Sequence, residues 1–386
     1  DNNFYTSLAL NLDDVYEGKV ATGAFNEEMQ MTFRESLYGK PYVITSYNQG
    51  SPAVFIQDTS NMMYAINSNG DMLWNHQVLG EIVKLEEVDF YRNDQSNVLV
   101  QTNRFIHIFD KGGNEIDGYP LYLEDSAKIV DFSVIDYDNT EYYRWGIADS
   151  KNRLWLFDKE GESLNGWDPK KVISPISSGP VHFRIGGRDC IFAIGEKGNL
   201  MLFNRRGNYY PGFPLNLDMN LSGDFHIKKG AGFKNSTISL VSNEGLLLTI
   251  NLEGEVKNRQ QFYKASRDSQ FQLVNDVSGS TFTILRKDFN RISFLDPSGN
   301  ILFEKDYILA DNLKFQYYFF DIDHQLFIVN DLLQEFTYIY DRSGNLFNFR
   351  PMESSYPISL IYSESEKKYR VYRNYNDKFS IITIDR

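Results

Sequence analysis

One cysteine in 386 residues, Cys190, leaves the chain no intrachain disulfide, and this excludes a disulfide-stapled scaffold. No run of 18 apolar residues occurs, so no helical membrane span is expected. Tryptophan is scarce: Trp74, Trp145, Trp155 and Trp167. Basic charge is in deficit, with 39 Lys and Arg against 52 Asp and Glu and a net charge of −13. Such a chain lacks the basic stripe that phosphate backbones require, which argues against nucleic acid as a partner. Its longest basic clusters are pairs, Lys170-Lys171, Arg205-Arg206, Lys228-Lys229 and Lys367-Lys368, read as solvated turns and strand ends. The five histidines, His76, His107, His182, His226 and His324, show no metal-ligand spacing and no His-Glu-x-x-His. Also missing are Gly-x-Ser-x-Gly, a Gly-Lys-Ser/Thr phosphate loop and Gly-x-Gly-x-x-Gly. No catalytic, metal or cofactor-binding residue is assigned, and no cofactor is expected. The chain begins at Asp1, without Met or signal sequence, and reads as a processed or trimmed product.

What the chain has in plenty is aromatic residues and repetition. Aromatics reach 15%, with 29 Phe and 25 Tyr, which suits half-buried pleated surfaces. An apolar-(Asp/Asn)-x-x-Gly pattern recurs with polar anchors at Asn67, Asp110, Asp158, Asn204, Asn251, Asp296 and Asp341. An eighth anchor falls due at Asp385. A strand-like repeat of about 40–50 residues predicts a β-propeller with one blade per repeat. The fold class is therefore all-β: an eight-bladed propeller of four-stranded antiparallel blades, strands A to D from axis to rim.

Residues 128–172 show one repeat clearly. Ile129–Ile135 reads as strand A, Tyr143–Ala148 as B, Arg153–Phe157 as C and Glu162–Trp167 as D. Gly-aromatic-Pro follows the anchor at Gly118-Tyr119-Pro120 and Gly212-Phe213-Pro214, with degenerate forms at Gly166-Trp167-Asp168 and Phe349-Arg350-Pro351. It is expected on strand D, an edge strand where proline is tolerated. Acidic A–B turns (Asp89, Asp136 with Asp138, Asp321 with Asp323, Glu364 with Glu366) are expected to line the disc face shared with the C–D turns. The final repeat stops before its strand D. Glu28–Leu37 reads as a spare strand that completes it, because an open ring would leave sheet edges unpaired. Blade 1 is then expected to begin at Pro41–Thr45. Residues 1–25 are expected to be a linker or the tail of a preceding domain, and 26–386 one propeller domain. Seven blades is the alternative, with the terminal 30 residues packed elsewhere.

The segment Met63-Tyr64-Ala65-Ile66-Asn67-Ser68-Asn69-Gly70-Asp71-Met72-Leu73-Trp74 resembles the repeat of eight-bladed pyrroloquinoline-quinone-type propellers. That superfamily includes quinoprotein dehydrogenases and the propeller lipoprotein of the outer-membrane protein assembly machinery. Trp is missing after the other anchors, so the likeness is at superfamily level. Ile176–Asp189 is similar to a stretch in large uncharacterised proteins of Bacteroidota with a C-terminal propeller. This resemblance implies an envelope-facing protein, periplasmic or exported, and transfers no site residue. A quinone cofactor would need stacking Trp and an axial calcium site, and none of the four Trp falls on an inner strand.

His107, alternating with Ile106 and Ile108 on strand C, is placed at a blade interface or on a wet face. His182 and Arg184, on an inner strand, are candidates to point into the axial channel. The carboxylate pairs Asp136/Asp138 and Asp321/Asp323 invite calcium, but each turn lacks Gly and a third acid, so turn formation is the stronger reading. The D–A links vary most, above all Asp168–Pro180, and loops on a rigid ring carry specificity. The candidate partner-binding residues are Pro175, Ser177, His182, Arg184, Tyr263 and Tyr356. The leading expectation is a non-catalytic scaffold that docks a protein partner in the bacterial cell envelope through its D–A/B–C face. The alternatives are a glycan-binding or glycan-cleaving propeller and a structural module of a larger exported protein.

Overall fold

The computed structural model describes residues 25–48, 51–123, 125–310, 312–347 and 350–385. Among them, strands form eight antiparallel sheets of four, and helix is limited to short 3-10 stretches, such as Phe233–Asn235. Blades 1 to 7 occupy 37–77, 82–122, 129–171, 176–216, 221–261, 270–306 and 313–353. Blade 8 takes strands A to C from Ser359–Ser363, Lys368–Tyr375 and Lys378–Asp385, and its strand D is Asn26–Thr32. The eight-bladed expectation holds, and the seven-bladed alternative falls. The expectation for residues 1–25 lies outside the described residues except at Phe25.

The ring closes where the sequence placed the closure. Met29 pairs with Ile381, Gln30 with Ser380 and Thr32 with Lys378. The strand is shorter than expected, because Leu37 already opens the inner strand of blade 1, Leu37–Asn48. Middle strands carry the core. Every residue of Asn97–Thr102 and of Gln325–Asp331 is buried. These strands are covered on both faces by neighbouring blades, so they read as continuous runs rather than alternating ones. Each such Val, Leu or Ile contributes about 1.5–3 kcal/mol.

The anchor repeat has a two-part cause. The Asx side chain closes its own turn: Asp110 Oδ1 accepts from the Gly112 and Asn114 amides, both at 2.8 Å. Asn204 does the same from Arg206 at 2.9 Å and Asn208 at 3.1 Å, so Asp and Asn interchange freely. The glycine three residues on is roofed by the preceding blade. A Cβ on Gly113, at φ +80°, would stand 2.6 Å from the Trp74 ring. Met29 roofs Gly70, Leu121 roofs Gly161 and Phe303 roofs Gly344 in the same way. Glycine is required there by its positive φ and by this close approach.

One sequence expectation needs correction. Glu162–Trp167 is not strand D. The outer strand of blade 3 is the two-residue Lys170–Lys171, and 162–167 is a turn joined to strand C only by the Phe157–Ser163 bridge. Blades 2, 4 and 7 share this plan, with outer strands Leu121–Tyr122, Leu215–Asn216 and Met352–Glu353. Gly-aromatic-Pro is thus the turn before a short outer strand. Its aromatic clasps the next blade: Trp167 Nε1 donates to Arg205 O at 2.9 Å, and Tyr119 Oη to Lys159 O at 2.6 Å. Phe349 of the degenerate copy lies outside the described residues.

Candidate binding surfaces: the channel and the two faces

The inner strands surround a cavity of about 610 Å³. Lys84 of blade 2 and Asn275 of blade 6 both line it, and since these blades stand across the ring the cavity is the axial channel. His182, Asp224, His226, Lys229 and Asp276 also line it. Asp276 opens the A–B turn of blade 6, so this part of the channel faces the A–B/C–D side. Two inner-strand acids mark the channel. Asp131 accepts from the Gly179 amide at 2.7 Å and the Phe132 amide at 2.8 Å, yet burial dominates and pushes its carboxyl up. Asp224 is also pushed up by burial, with the charge of Asp131 adding to it. Protein surrounds Asp224, but its side chain is exposed to channel water, which tempers the effect.

The six sequence candidates separate by height on the ring. His182 and Arg184 sit near the A–B end of Ile176–Ile185. His182 Nε2 lies 2.9 Å from Asp189 Oδ1, and Arg205 bridges Asp189 to Asp138. Arg184 reaches Asp138 Oδ1 at 2.5 Å and Tyr137 O at 3.0 Å, so it binds blade 4 to the turn of blade 3. Tyr137 fills the middle, its ring 5.0 Å from His182 and 4.3 Å from the Arg205 guanidinium. Burial drives the His182 imidazole below its ordinary value; Asp189 opposes this, while Arg205 and Lys229 reinforce it. Arg205 and Arg184 hold the Asp138 carboxyl low.

Pro175, Ser177, Tyr263 and Tyr356 lie toward the D–A/B–C face. Pro175 O accepts from the Glu196 amide at 2.9 Å, and Ser177 Oγ donates to Ile194 O at 3.2 Å. Both therefore tie the inner strand to strand B. The Asp168–Pro180 stretch is only partly a link, since it holds an outer strand and the start of an inner one. Tyr356 packs on Tyr38 at 5.2 Å, and Tyr38 Oη donates to Glu81 at 2.8 Å, a bond that raises the Tyr38 phenol to about 12. Tyr263 is 77% exposed.

Around Tyr263 the structure gathers residues that the sequence did not single out. Phe289 is 80% exposed, and Ile308, Leu309 and Leu333 also face solvent. They occupy the B–C turn of blade 6, the link to blade 7 and the B–C turn of blade 7. Hydrogen bonds show these segments to be neighbours: Arg286 Nη1 reaches Tyr263 O at 3.4 Å, the Ala310 amide Phe289 O at 3.3 Å, and the Leu332 amide Asn312 O at 3.3 Å. Arg286 is buried and stiffens the base of this sector through Asp288 and Glu304. Apolar residues at loop tips, beside a turn, were the available signal.

Other candidates have structural roles. His107 is buried against Phe109 at a blade interface, with Nδ1 2.6 Å from Glu115 and Nε2 3.4 Å from the Leu79 amide. Asp136 closes its turn by accepting from the Thr140 and Glu141 amides at 3.1 and 2.7 Å. Among the described residues no three His, Cys, Asp or Glu groups are placed to share a metal. Burial raises the Cys190 thiol to about 12, which leaves it unreactive. No helix among the described residues is long and apolar enough to cross a membrane.

No protein-family model and no curated protein matches the sequence. Solved structures do resemble the ring. Sqt1 of Saccharomyces cerevisiae aligns with a TM-score of 0.63 at 12% identity, covering 95% of this chain and 100% of that one. BamB from Moraxella catarrhalis aligns at 0.54 and 8% identity, covering 94% and 98%. BBS1N, crystallised in complex with ARL6DN, aligns at 0.51 and 10% identity, covering 95% and 98%. At such identities the likeness shows the fold: this chain is an eight-bladed β-propeller.

Proposed function

We propose that this propeller is a non-catalytic scaffold that docks a protein partner on its D–A/B–C face, centred on blades 5 to 7. The observation that carries the reading is the exposed sector of Tyr263, Phe289, Ile308, Leu309 and Leu333 on a rigid base. Contiguous exposed apolar residues rimmed by polar ones mark interaction sites, and aromatics are favoured as anchors. The rim here is polar, with Lys264 paired to Glu244. BBS1N supports the idea in kind, as a propeller of similar form seen in complex with a protein. The bacterial-envelope setting rests on the repeat at 63–74 and on Ile176–Asp189, and fractionation of the native host tests it.

Cross-linking capture in that host is the direct test. Phe289→Glu with Tyr263→Ser is expected to abolish capture of the partner, while Lys197→Glu on the same face of blade 4 leaves it intact. Equal capture by both variants would refute the docking sector. The glycan reading has its own handle, the channel acids. Turnover of polysaccharide that is lost in Asp224→Asn would replace the scaffold with an enzyme.

A further inference from the structure

The A–B/C–D face is not uniformly acidic. Its turns in blades 2 and 3 carry Asp89, Asp94, Asp136 and Glu141, and those in blades 7 and 8 carry Asp323, Glu364 and Glu366. Between these sectors, in blades 4 and 5, the sign reverses. Arg188, Arg206, Lys228, Lys229 and Lys234 are all exposed, and among the described residues none has a carboxylate within ion-pair distance. Arg184 and Arg205 extend this arc inward, sharing only Asp138 and Asp189. The acids of the C–D turn of blade 5, Glu253 and Glu255, border the arc, and Glu255 pairs with Lys257 while feeling the charge of Lys234.

The arc is one surface. Arg188 lies over the Phe233 ring at 5.4 Å, and Tyr210 packs on Phe233 at 4.8 Å, which joins both turns of blade 4 to the A–B turn of blade 5. It borders the channel cavity through His182, His226 and Lys229. Four of these charges have no close ion pair, and the fifth, Lys234, is only partly offset by Glu255. Such an excess of like charge is self-repelling, and an anionic ligand relieves that repulsion. The flanking acidic sectors limit its shape. A membrane plane or a long duplex laid on the disc would meet the carboxylates of blades 2, 3, 7 and 8 at the same height. A short anionic chain fits inside the arc without touching them.

We propose that the basic arc of blades 4 and 5 binds an acidic peptide segment of a protein partner, on the face opposite the apolar sector. The probe is a fluorescein-labelled, Glu-rich peptide of about 10 residues, roughly 33–36 Å when extended. Fluorescence anisotropy should show binding at about 50 mM salt that weakens strongly by about 300 mM, as screening shortens the reach of each charge. Lys228→Glu with Lys229→Glu should weaken binding by about tenfold or more, because the reversed charges repel the peptide. Lys197→Glu makes the same kind of charge change in blade 4 on the other face and should leave affinity unchanged. Circular dichroism on each variant confirms that it folds. The proposal fails if the peptide does not bind at low salt, or if Lys197→Glu weakens it as much as the double reversal. It fails equally if single-stranded DNA or phosphatidylserine vesicles bind the arc and the peptide does not. Phe289→Glu should leave peptide binding intact, which separates this result from the docking sector.

Discussion

Blades 3 and 6 roof their neighbours by different means. Blade 6 lays down a full outer strand, Ile301–Asp306, paired along its length with Arg291–Leu295, and Phe303 covers the next anchor glycine. Blade 3 makes an outer strand of two residues and covers the next turn with a loop, in which Trp167 bonds Arg205 O. One device spends backbone hydrogen bonds and the other spends an aromatic ring. Both cover the sheet edge, which exposed pairing groups would make a hazard. The two surfaces cut across this division: the basic arc spans looped blade 4 and full-stranded blade 5, and the apolar sector spans full-stranded blades 5 and 6 and looped blade 7.

The comparison breaks most visibly at the clasp itself. Trp167 is fully buried, so Trp167→Ala is expected to cost about 3–5 kcal/mol in urea denaturation. A loss below about 1 kcal/mol would mean that the clasp does not hold the blades. The glycines of the same motif sharpen the point. A Cβ on Gly166 would stand 2.3 Å from Arg206 O, whereas one on Gly118 meets nothing within 4 Å. Both have positive φ, so Gly118→Ala should cost about 1–2 kcal/mol for backbone strain alone. Gly166→Ala should cost about 1–3 kcal/mol more, from forced displacement of the next blade. Equal effects of the two would show that the next turn yields freely.

Burial of one histidine makes blade 2 sensitive to acid, and its loop moderates the effect. Glu115 lies in the C–D loop of blade 2 and holds His107. Burial depresses the His107 imidazole below its ordinary value, with Glu115 opposing and His76 adding to the depression. As pH falls through about 6.5 the unfolded chain takes up the proton before the folded one, so stability is lost on acidification. Thermal denaturation should show Tm falling from pH 7 to 5, and His107→Gln should flatten that slope. A slope unchanged in the variant would remove His107 from the explanation. The smallest effect is expected on the short outer strand that follows this loop. Tyr122 is largely solvent-facing, and Tyr122→Thr should shift stability by no more than about 0.5 kcal/mol.

The anchors made the ring legible because each obeys two local constraints, an Asx turn and a roofed glycine. Closure was legible because a strand was missing at one end and spare at the other. The outer strands of blades 2, 3, 4 and 7 were not, since a two-residue pairing leaves no periodicity to read. Trp167 and Tyr119 were noticed as a motif, but their bonds run to the next repeat, about 40 residues on. The basic arc was hidden for the same reason. Arg205-Arg206 and Lys228-Lys229 stand half a repeat apart, where a C–D turn meets the A–B turn of the following blade. Each pair alone reads as a solvated turn.

A closed circle of roofed anchors depends on the seam between the N-terminal strand and blade 8. Thr32 and Lys378 are directly opposed there, and both are exposed. Opposed residues of antiparallel strands stand about 4.5–5.5 Å apart at Cα, within disulfide range. The sole native cysteine, Cys190, is buried and does not compete. Thr32→Cys with Lys378→Cys is therefore expected to form an intrachain disulfide on mild oxidation, seen as a mobility shift on a non-reducing gel and as the linked peptide by mass spectrometry. A chain that stays reduced, or links only to other chains, would contradict the closed ring.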